Sequence, residues 1–250
     1  MSQSQKAVLI TGALGGIGQA LCAEFRQAGY FVIGTDLKTG NSHCDAFITS
    51  NVRELCHNPE MLDEFHDAVV REVKSNEKHL TAIINNAATQ LLNKTEDITV
   101  GQWNETLEVN LVAPFLLIQS FLNELQSNSG CAVNIASVHA AVTKPEFVCY
   151  ATSKSALVGM TKAMAVDLGA KIRVNAISPA AVATPMLLDG FEGRLEEFKK
   201  LSSMHPAGRI AEPVEVAKAA VFLCSEAASF MTGSCLSIDG GISGRLHDPI

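Results

Sequence analysis

Seven short apolar runs, mostly separated by longer segments of helical periodicity, constrain the fold of this chain more than any other feature. Runs that are apolar throughout are typical of parallel strands covered on both faces, and β-α alternation indicates a doubly wound sheet. We therefore predict an α/β fold, with a parallel seven-stranded sheet and helices on both faces, in a single domain spanning residues 1–250. The predicted strands are 7–11, 31–35, 46–49, 80–85, 131–136, 172–177 and 235–238.

The longer segments predict helices, and one further segment interrupts the alternation. Residues 180–208 lie between the sixth strand and the last long helix, and prolines and glycines punctuate them. Insertions after the carboxyl end of a strand lie where such sheets bind ligands. We interpret this segment as a helical substrate lid, and a plain surface excursion is the alternative. The predicted helices are 16–28, 59–75, 100–125, 151–168 and 214–224.

Charge and residue spacing argue against several classes of function. The 250 residues include 19 basic and 26 acidic side chains, with a formal charge of −7 and no basic block, which disfavours nucleic acid as a partner. No apolar run approaches a membrane span or a signal-peptide core, so we expect a cytoplasmic protein without a membrane partner. The seven cysteines and seven histidines lack ligand spacing, so we expect reduced thiols and no metal.

The first predicted strand runs directly into a glycine-rich turn and a helix. Gly12 permits the tight turn, Gly16 lets the backbone approach a pyrophosphate, and Gly18 permits close helix packing. The free N–H groups and positive dipole end of the helix suit phosphate oxygens. The turn predicts a Rossmann dinucleotide site, although such glycines also occur without any catalytic reason.

An acidic residue follows the second predicted strand. Asp36 lies eighteen residues after Gly18, where a carboxylate accepts hydrogen bonds from the adenosine ribose hydroxyls. That carboxylate repels a 2′-phosphate, so we predict NAD as the cofactor, with Lys38 as the feature that leaves NADP open. The alternative is a surface aspartate that caps a turn.

Tyr150 and Lys154 are four residues apart and would project from one face of a helix. A free tyrosine has a pKa of about 10, and lowering it by about 3 units requires roughly 4 kcal/mol of stabilisation of the anion. We expect Lys154 and the positive ring of an oxidised nicotinamide to share this task. Tyr150 would then act as a general acid or base. Taken singly, each residue is equally typical of a helix surface.

Together with Asn86, Asn110 and Ser137, these features resemble the short-chain dehydrogenase/reductase family over residues 7–241. The resemblance implies hydride transfer between a secondary alcohol and a ketone, with Tyr150 as the general acid/base. It implies that Lys154 also binds the nicotinamide ribose, that Ser137 hydrogen-bonds the reacting oxygen, and that Asn110 holds a water linking Lys154 to solvent. The catalytic residues implied are Asn110, Ser137, Tyr150 and Lys154.

The resemblance also implies a set of cofactor-binding positions, with three departures from the family pattern. Alanine stands at 88 and 180 where the family usually has glycine, and Asn51 stands where it usually has aspartate. We expect the added methyl groups and the lost charge to alter cofactor contacts. The implied positions are Gly12, Leu14, Gly15, Gly16, Ile17, Gly18, Asp36, Leu37, Asn51, Val52, Asn86, Ala87, Ala88, Val109, Tyr150, Lys154, Pro179, Val182 and Thr184.

The substrate is left open beyond a small alcohol or ketone. Candidate substrate contacts are Ser137, Tyr150, Gln90 and His139, although His139 is equally interpreted as a pocket wall. A reductase acting on 3-oxoacyl groups of an acyl carrier protein is one alternative, since Lys171 and Arg173 flank the sixth strand. A non-catalytic NAD-sensing or interaction protein is the alternative from another class.

The resemblance finally implies a homotetramer, or a homodimer, formed through segments 100–125 and 151–168 and the last strands. The first of these segments carries more apolar residues than one helix face normally needs. Their burial against the sheet is the alternative. These residues are Leu111, Phe115, Leu116, Ile118 and Phe121.

Overall fold

The computed structural model describes residues 5–40 and 43–246, and in that part of the chain all strands form one parallel sheet. The strand order is β3-β2-β1-β4-β5-β6-β7, which confirms the predicted doubly wound topology with seven strands. Each predicted strand is present with its bounds shifted by two residues at most. The strands are β1 (Lys6–Thr11), β2 (Phe31–Asp36), β3 (Ala46–Thr49), β4 (His79–Asn85), β5 (Cys131–Ile135), β6 (Arg173–Pro179) and β7 (Cys235–Ile238).

Alternate side chains of the central strand β1 enter two separate cores. Leu9 packs with residues of the helices on one face, whereas Val8 and Ile10 pack with those on the other. Because successive side chains of a strand point to opposite faces, an apolar run such as this needs helices on both sides. The flanking helices are α1 (Gly16–Gln27), α2 (Pro59–Ser75), α3 (Val100–Leu107), α4 (Ala113–Ser120), α5 (Leu122–Ser127), α6 (Val148–Leu168), α7 (Pro185–Asp189), α8 (Leu195–Met204) and α9 (Pro213–Cys224).

The predicted single helix over 100–125 is wrong in one respect, because the structure breaks it. A π-helical turn, Glu108–Val112, joins α3 to α4, and α5 begins after Phe121. Pro114 provides a physical reason, since it has no N–H to donate to the carbonyl of Asn110 four residues earlier. The wider turn is where Asn110 lies, with its side chain fully buried.

Other boundaries and surfaces also differ from simple expectation. Helix α6 begins at Val148 rather than at 151, which places Tyr150 inside its first turn.

Of the apolar residues proposed as an interface, Ile118 and Phe121 are fully buried in the core, whereas Phe115 is 38% exposed. Segment 180–208 contains α7 and α8, and its role as a substrate lid stays a prediction. None of the helices in the described ranges has both the length and the apolarity to cross a bilayer.

Candidate active site

The glycine turn is fixed to the end of β4 by a small network of hydrogen bonds. The Thr11 hydroxyl accepts from the backbone N–H groups of Asn86 and Ala87, each at 3.0 Å. The Asn86 side-chain amide donates to the carbonyls of Thr11 and Gly12, also at 3.0 Å. Gly12 has φ of 64°, and a side chain there would come within 2.9 Å of Ala87. Only glycine fits this position without strain.

Helix α1 begins in a form that can receive an anion. Its N-cap, Gly15, provides no side-chain hydrogen bond, so the N–H groups at Gly16 and Ile17 in the first turn are not capped by that residue. A side chain at Gly18 would lie 2.0 Å from the Gly12 carbonyl oxygen, so the turn and helix pack with no space between them. The backbone therefore fits the pyrophosphate of a dinucleotide.

Asp36 ends β2 with its carboxylate turned toward this site. One oxygen accepts from the N–H of Leu14 at 3.0 Å, and the other accepts from the N–H of Leu37 at 2.8 Å. The side chain thus caps its own turn and also contacts the glycine turn. The turn-capping interpretation is therefore observed. Each carboxylate oxygen retains a lone pair, and the contact with a ribose hydroxyl stays a prediction.

The predicted adenine contacts are only partly brought together. Asn51 accepts from the N–H of Arg53 at 3.1 Å and donates to Glu54 at 3.0 Å, so its amide holds a local turn. Val52 is buried in the core, and Val109 packs against the same cluster. An adenine contact by Asn51 stays a prediction.

The two alanines that replace expected glycines carry no backbone strain. Neither Ala88 nor Ala180 has a positive φ. The Ala180 N–H also donates to the carbonyl of Ile238 at 3.1 Å, which fixes its backbone to β7. The expected resistance to positive φ is therefore not a factor at either position.

The predicted catalytic side chains converge at the carboxyl end of β5. The Ser137 hydroxyl lies close enough to the Tyr150 phenol to act on its pKa. Lys154, one turn along α6, places its Nζ 5.6 Å from the centroid of the Tyr150 ring and donates to the carbonyl of Ile135 at 2.8 Å. The expected juxtaposition of ammonium and phenol is present.

We expected Lys154 to contribute to lowering the pKa of Tyr150. For the protein groups taken by themselves, this expectation is wrong. Burial raises the pKa of Tyr150, and the nearby Ser137 hydroxyl opposes this only in part. Burial also lowers the pKa of Lys154 to about 7, so the amine is not the permanent cation that the sequence suggested. Removing both groups from water disfavours both charged forms.

Asn110 joins two parts of the site through its side chain. Its oxygen accepts from the Thr89 N–H at 2.9 Å, and its amide donates to the Thr89 carbonyl and to the Ser153 hydroxyl. Ser153 in turn donates to the carbonyl of Tyr150 at 2.7 Å. These contacts assign Asn110 a positioning role, and the predicted water stays a prediction.

Three hydroxyl residues of the site have positions that sequence reasoning did not single out. Thr11 supports the glycine turn, Ser153 links Asn110 to α6, and Ser178 donates to the carbonyl of Ser137 at 2.9 Å. All three lie inside the motifs used for the predictions. A small hydroxyl residue beside each predicted site residue was the available signal.

The predicted substrate contacts differ in environment. The His139 ring stacks on Phe147 at 4.3 Å and meets the edge of Tyr150 at 5.9 Å, while Nδ1 contacts the Thr143 hydroxyl. Burial, together with nearby Lys144, lowers the pKa of His139 and favours the neutral ring. His139 is thus part of an aromatic wall beside the phenol, whereas Gln90 lies exposed in the loop after β4.

Segment 180–208 begins next to the glycine turn. Pro179 ends β6, Val182 pairs with Ala211, and the Thr184 hydroxyl accepts from the N–H of Leu187 at 3.4 Å to cap α7. A side chain at Gly16 would come within 2.9 Å of both Thr184 and Pro185. The segment expected to hold the nicotinamide therefore lies next to the segment expected to hold the phosphates.

Comparisons with known proteins agree with this geometry. The family model described as Enoyl-(Acyl carrier protein) reductase matches residues 12–243. The NAD-dependent glycerol dehydrogenase of Listeria innocua is 36% identical over 95% of this chain and 94% of that protein. The acetoacetyl-CoA reductase of an Acinetobacter strain is 33% identical over 95% of this chain and 98% of that protein.

A solved structure with the same fold is the ligand-free aldohexose dehydrogenase of Thermoplasma acidophilum. It is similar to this chain with a TM-score of 0.89 and 30% identity, over 98% of this chain and 97% of that one. Within residues 5–40 and 43–246, no three histidine, cysteine or acidic side chains are grouped as a metal site would require.

Proposed function

The chain belongs to the short-chain dehydrogenase/reductase family, and we propose on this basis that it is an NAD-dependent oxidoreductase interconverting a secondary alcohol and a ketone. The observation that carries the proposal is the convergence of the Tyr150 phenol with the Ser137 hydroxyl and with Lys154, whose buried Nζ lies 5.6 Å from the phenol ring centroid. A phenol held in this way can exchange a proton with a substrate oxygen placed between the two hydroxyls. A bound nicotinamide dinucleotide supplies or accepts the hydride.

The side chains of the site divide the remaining work. In ketone reduction Tyr150 donates its proton to the substrate oxygen, and its raised pKa keeps the phenol protonated before this step. In alcohol oxidation the phenol must first lose that proton, so we expect oxidation to become faster as the pH rises above 7. Ser137 holds the reacting oxygen, and Lys154, fixed by the Ile135 carbonyl, lies beside the phenol.

The glycine turn and Asp36 support NAD as the cofactor. The residues that would hold it are Gly16 and Ile17, whose N–H groups begin α1, for the phosphates, Asp36 for the ribose and Thr184 for the carboxamide. The Listeria relative is NAD-dependent by name. Lys38, exposed after β2, is the reason to measure NADP in parallel.

A small polyol or sugar is the substrate class that we propose to test first. Two similar proteins act, by name, on glycerol and on aldohexoses. The neutral imidazole of His139 lies edge to face with Tyr150 and contacts Thr143 through Nδ1, so its Nε2 edge suits a substrate hydroxyl.

A 3-oxoacyl reductase is the second candidate, because of the family model and the acetoacetyl-CoA reductase relative. The basic residues invoked for a carrier protein do not favour it. Arg173 begins β6 and Lys171 precedes it, whereas Tyr150 lies at the carboxyl ends of the strands. A strand of this length separates the two edges by about 20 Å. Arg173 also donates to the carbonyl of Met231 at 3.2 Å.

The lid and the assembly complete the proposal. The contact of Gly16 with Thr184 and Pro185 supports a lid that moves off the glycine turn when cofactor binds, and limited proteolysis of segment 180–208 that NADH leaves unchanged would contradict it. The exposed ring of Phe115 on α4 supports a homotetramer or homodimer, which light scattering would measure.

The test of the main proposal uses the two tyrosines of the chain as a matched pair. We expect Tyr150→Phe to lower kcat by about 10² to 10⁴ while NADH still binds, because only the proton relay is removed. Tyr30→Phe removes an equivalent hydroxyl, which donates to the Cys224 carbonyl in the core, and should leave kcat unchanged. The assay panel is polyols, aldohexoses, simple secondary alcohols and 3-oxoacyl thioesters, each with NAD and NADP.

The outcomes separate the candidate functions. Turnover of thioesters alone would favour the 3-oxoacyl reductase. NADH binding without turnover of any compound, in wild type and both variants, would favour the NAD-sensing protein. Equal kcat for wild type and Tyr150→Phe would remove the basis of the mechanism.

A further inference from the structure

Two cysteine thiols lie in contact beside the glycine turn, and the proposed reaction uses neither. The Sγ of Cys22 on α1 is 3.2 Å from the Sγ of Cys44, which precedes β3. Cys22 is fully buried, whereas Cys44 is half-buried. A small solute therefore reaches the pair from the side of Cys44.

The two sulfurs are chemically unequal. The hydrogen bond with Cys44, and then burial, raise the pKa of Cys22 far above its ordinary value. The proton therefore stays on Cys22. Because Cys44 is the sulfur that a solute can reach, it is the attacking group, as its thiolate, and Cys22 is positioned to resolve its oxidation product.

The pair is connected to the dinucleotide site through the packing of the Cys44 thiol. This thiol occupies the space above Gly34, where a side chain would come within 2.3 Å of its sulfur and 2.9 Å of Ala13 in the glycine turn. The next residue of that turn, Leu14, donates its N–H to the Asp36 carboxylate.

We propose that Cys22 and Cys44 are a modification site. A hydroperoxide oxidises this dithiol to a disulfide, and the disulfide weakens dinucleotide binding. The Cys44 thiolate attacks the peroxide, which breaks the O–O bond, gives a sulfenic acid and releases hydroxide. The Cys22 sulfur then displaces the sulfenic oxygen as water and forms the S–S bond. In total, two thiols and one hydrogen peroxide give one disulfide and two waters, and a dithiol reductant reverses the oxidation.

The geometry indicates what closing the bond disturbs. The sulfurs must approach from 3.2 Å to about 2.05 Å. Helix α1 packs closely on the glycine turn at Gly18, and Cys44 lies over Gly34 beside Ala13 of the same turn. Movement of either partner to close the bond therefore disturbs the packing of the glycine turn. The effect on affinity rests on the proposed function, whereas the cross-link itself does not.

The experiment compares the reduced and the peroxide-treated full-length protein. Peptide mapping under non-reducing conditions should show a Cys22–Cys44 linked peptide after hydrogen peroxide treatment and its loss after dithiothreitol. Isothermal titration with NADH should show Kd rising by about threefold to tenfold on oxidation and recovering on reduction. The Cys131 and Cys224 thiols, both buried in the core, serve as an internal control that should remain unmodified.

Matched variants assign the effect to this pair. Cys22→Ser and Cys44→Ser should each abolish both the linked peptide and the peroxide-induced change in Kd. If Cys22→Ser fails to fold, Cys44→Ser, at the half-buried position, still provides the test. Cys56→Ser replaces another half-buried thiol, one that donates to the carbonyls of Val52 and Glu108, and should retain both.

The outcomes are distinguishable. Peroxide treatment that yields no linked peptide, or only irreversible oxidation of Cys44, would overturn the modification site. A complete cross-link with an unchanged Kd would overturn the coupling to dinucleotide binding. If the reduced protein binds no NADH, the proposed function fails, and the peptide map still decides the cross-link.

Discussion

The dinucleotide turn and the catalytic centre lie at the same carboxyl edge of the sheet, yet they are built from different materials. The turn is backbone: glycine conformation, free N–H groups and the bracing amide of Asn86. The catalytic centre is side chain: Tyr150, Ser137 and Lys154, held in a region from which water is largely excluded. Steric fit determines the properties of the glycine turn, and proton affinity determines those of the catalytic centre.

This difference explains which expectations failed. Steric requirements at Gly12 and Gly18 come from atoms a few residues away, so the motif predicts them directly. The pKa of Tyr150 depends on how much water the rest of the fold removes, and burial raises it although we expected Lys154 to contribute to lowering it. A motif thus predicts the position of a group better than its charge.

The comparison is tested most severely at Gly18. We expect Gly18→Ala to lower the free energy of unfolding by about 3 kcal/mol and to abolish NADH binding, because the new methyl group would overlap the Gly12 carbonyl oxygen. The matched control is Gly159→Ala in α6, where a Cβ meets nothing within 4 Å. That variant should gain up to about 1 kcal/mol from helix propensity. Urea unfolding measures both, and equal changes would contradict a turn defined by space.

The electrostatic side of the comparison is sharpened by Lys154→Met. The pKa of Lys154 is about 7 in the folded protein, against an ordinary 10.5. Between these values the unfolded chain retains a proton that the folded protein has released, so raising the pH stabilises the folded wild type. Relative to the variant, the wild type should gain about 1.4 kcal/mol per pH unit from pH 7 to 9. Parallel unfolding profiles for the two proteins would show that Lys154 keeps its charge on folding.

Asp36 gives the smallest expected effect, because a charge here acts at a partly exposed backbone turn. Asp36→Asn keeps the shape but loses the charge and one of the acceptors used by the Leu14 and Leu37 N–H groups. We expect Kd for NADH to rise about tenfold, and the ratio of the Kd values for NADPH and NADH to become smaller. Asp63→Asn, exposed on α2, is the control and should leave both Kd values unchanged. A Kd for Asp36→Asn equal to that of the control would remove the argument for NAD.

Most of the fold could be predicted, and the exceptions have identifiable causes. The bounds of β3, β7 and α2 are as predicted, since apolar runs and a good N-cap are local signals. Segment 100–125 was predicted as one helix because its composition is helical throughout. The π turn at Asn110 depends on the tertiary bonds of that side chain to Thr89 and Ser153 as well as on Pro114.

The candidate site shows the same division. The spacing of Tyr150 and Lys154 was sufficient to place both on one face of α6. That Asn51 would hold a local turn with Arg53 and Glu54 was a matter of side-chain rotamers that spacing does not specify. Likewise, nothing in the spacing of Cys22 and Cys44 indicated that their sulfurs would touch.

By itself, the order of apolar runs, glycines and polar residues determined the sheet, its two covered faces and the edge at which a dinucleotide site forms. Periodicity and steric tolerance act over a few residues, so they can be read along the chain. Only the tertiary structure decided the protonation tendencies of Tyr150 and Lys154, the break at Asn110 and the contact between two distant thiols. Those properties depend on desolvation and on contacts between segments far apart in sequence, and these exist only once the chain has folded.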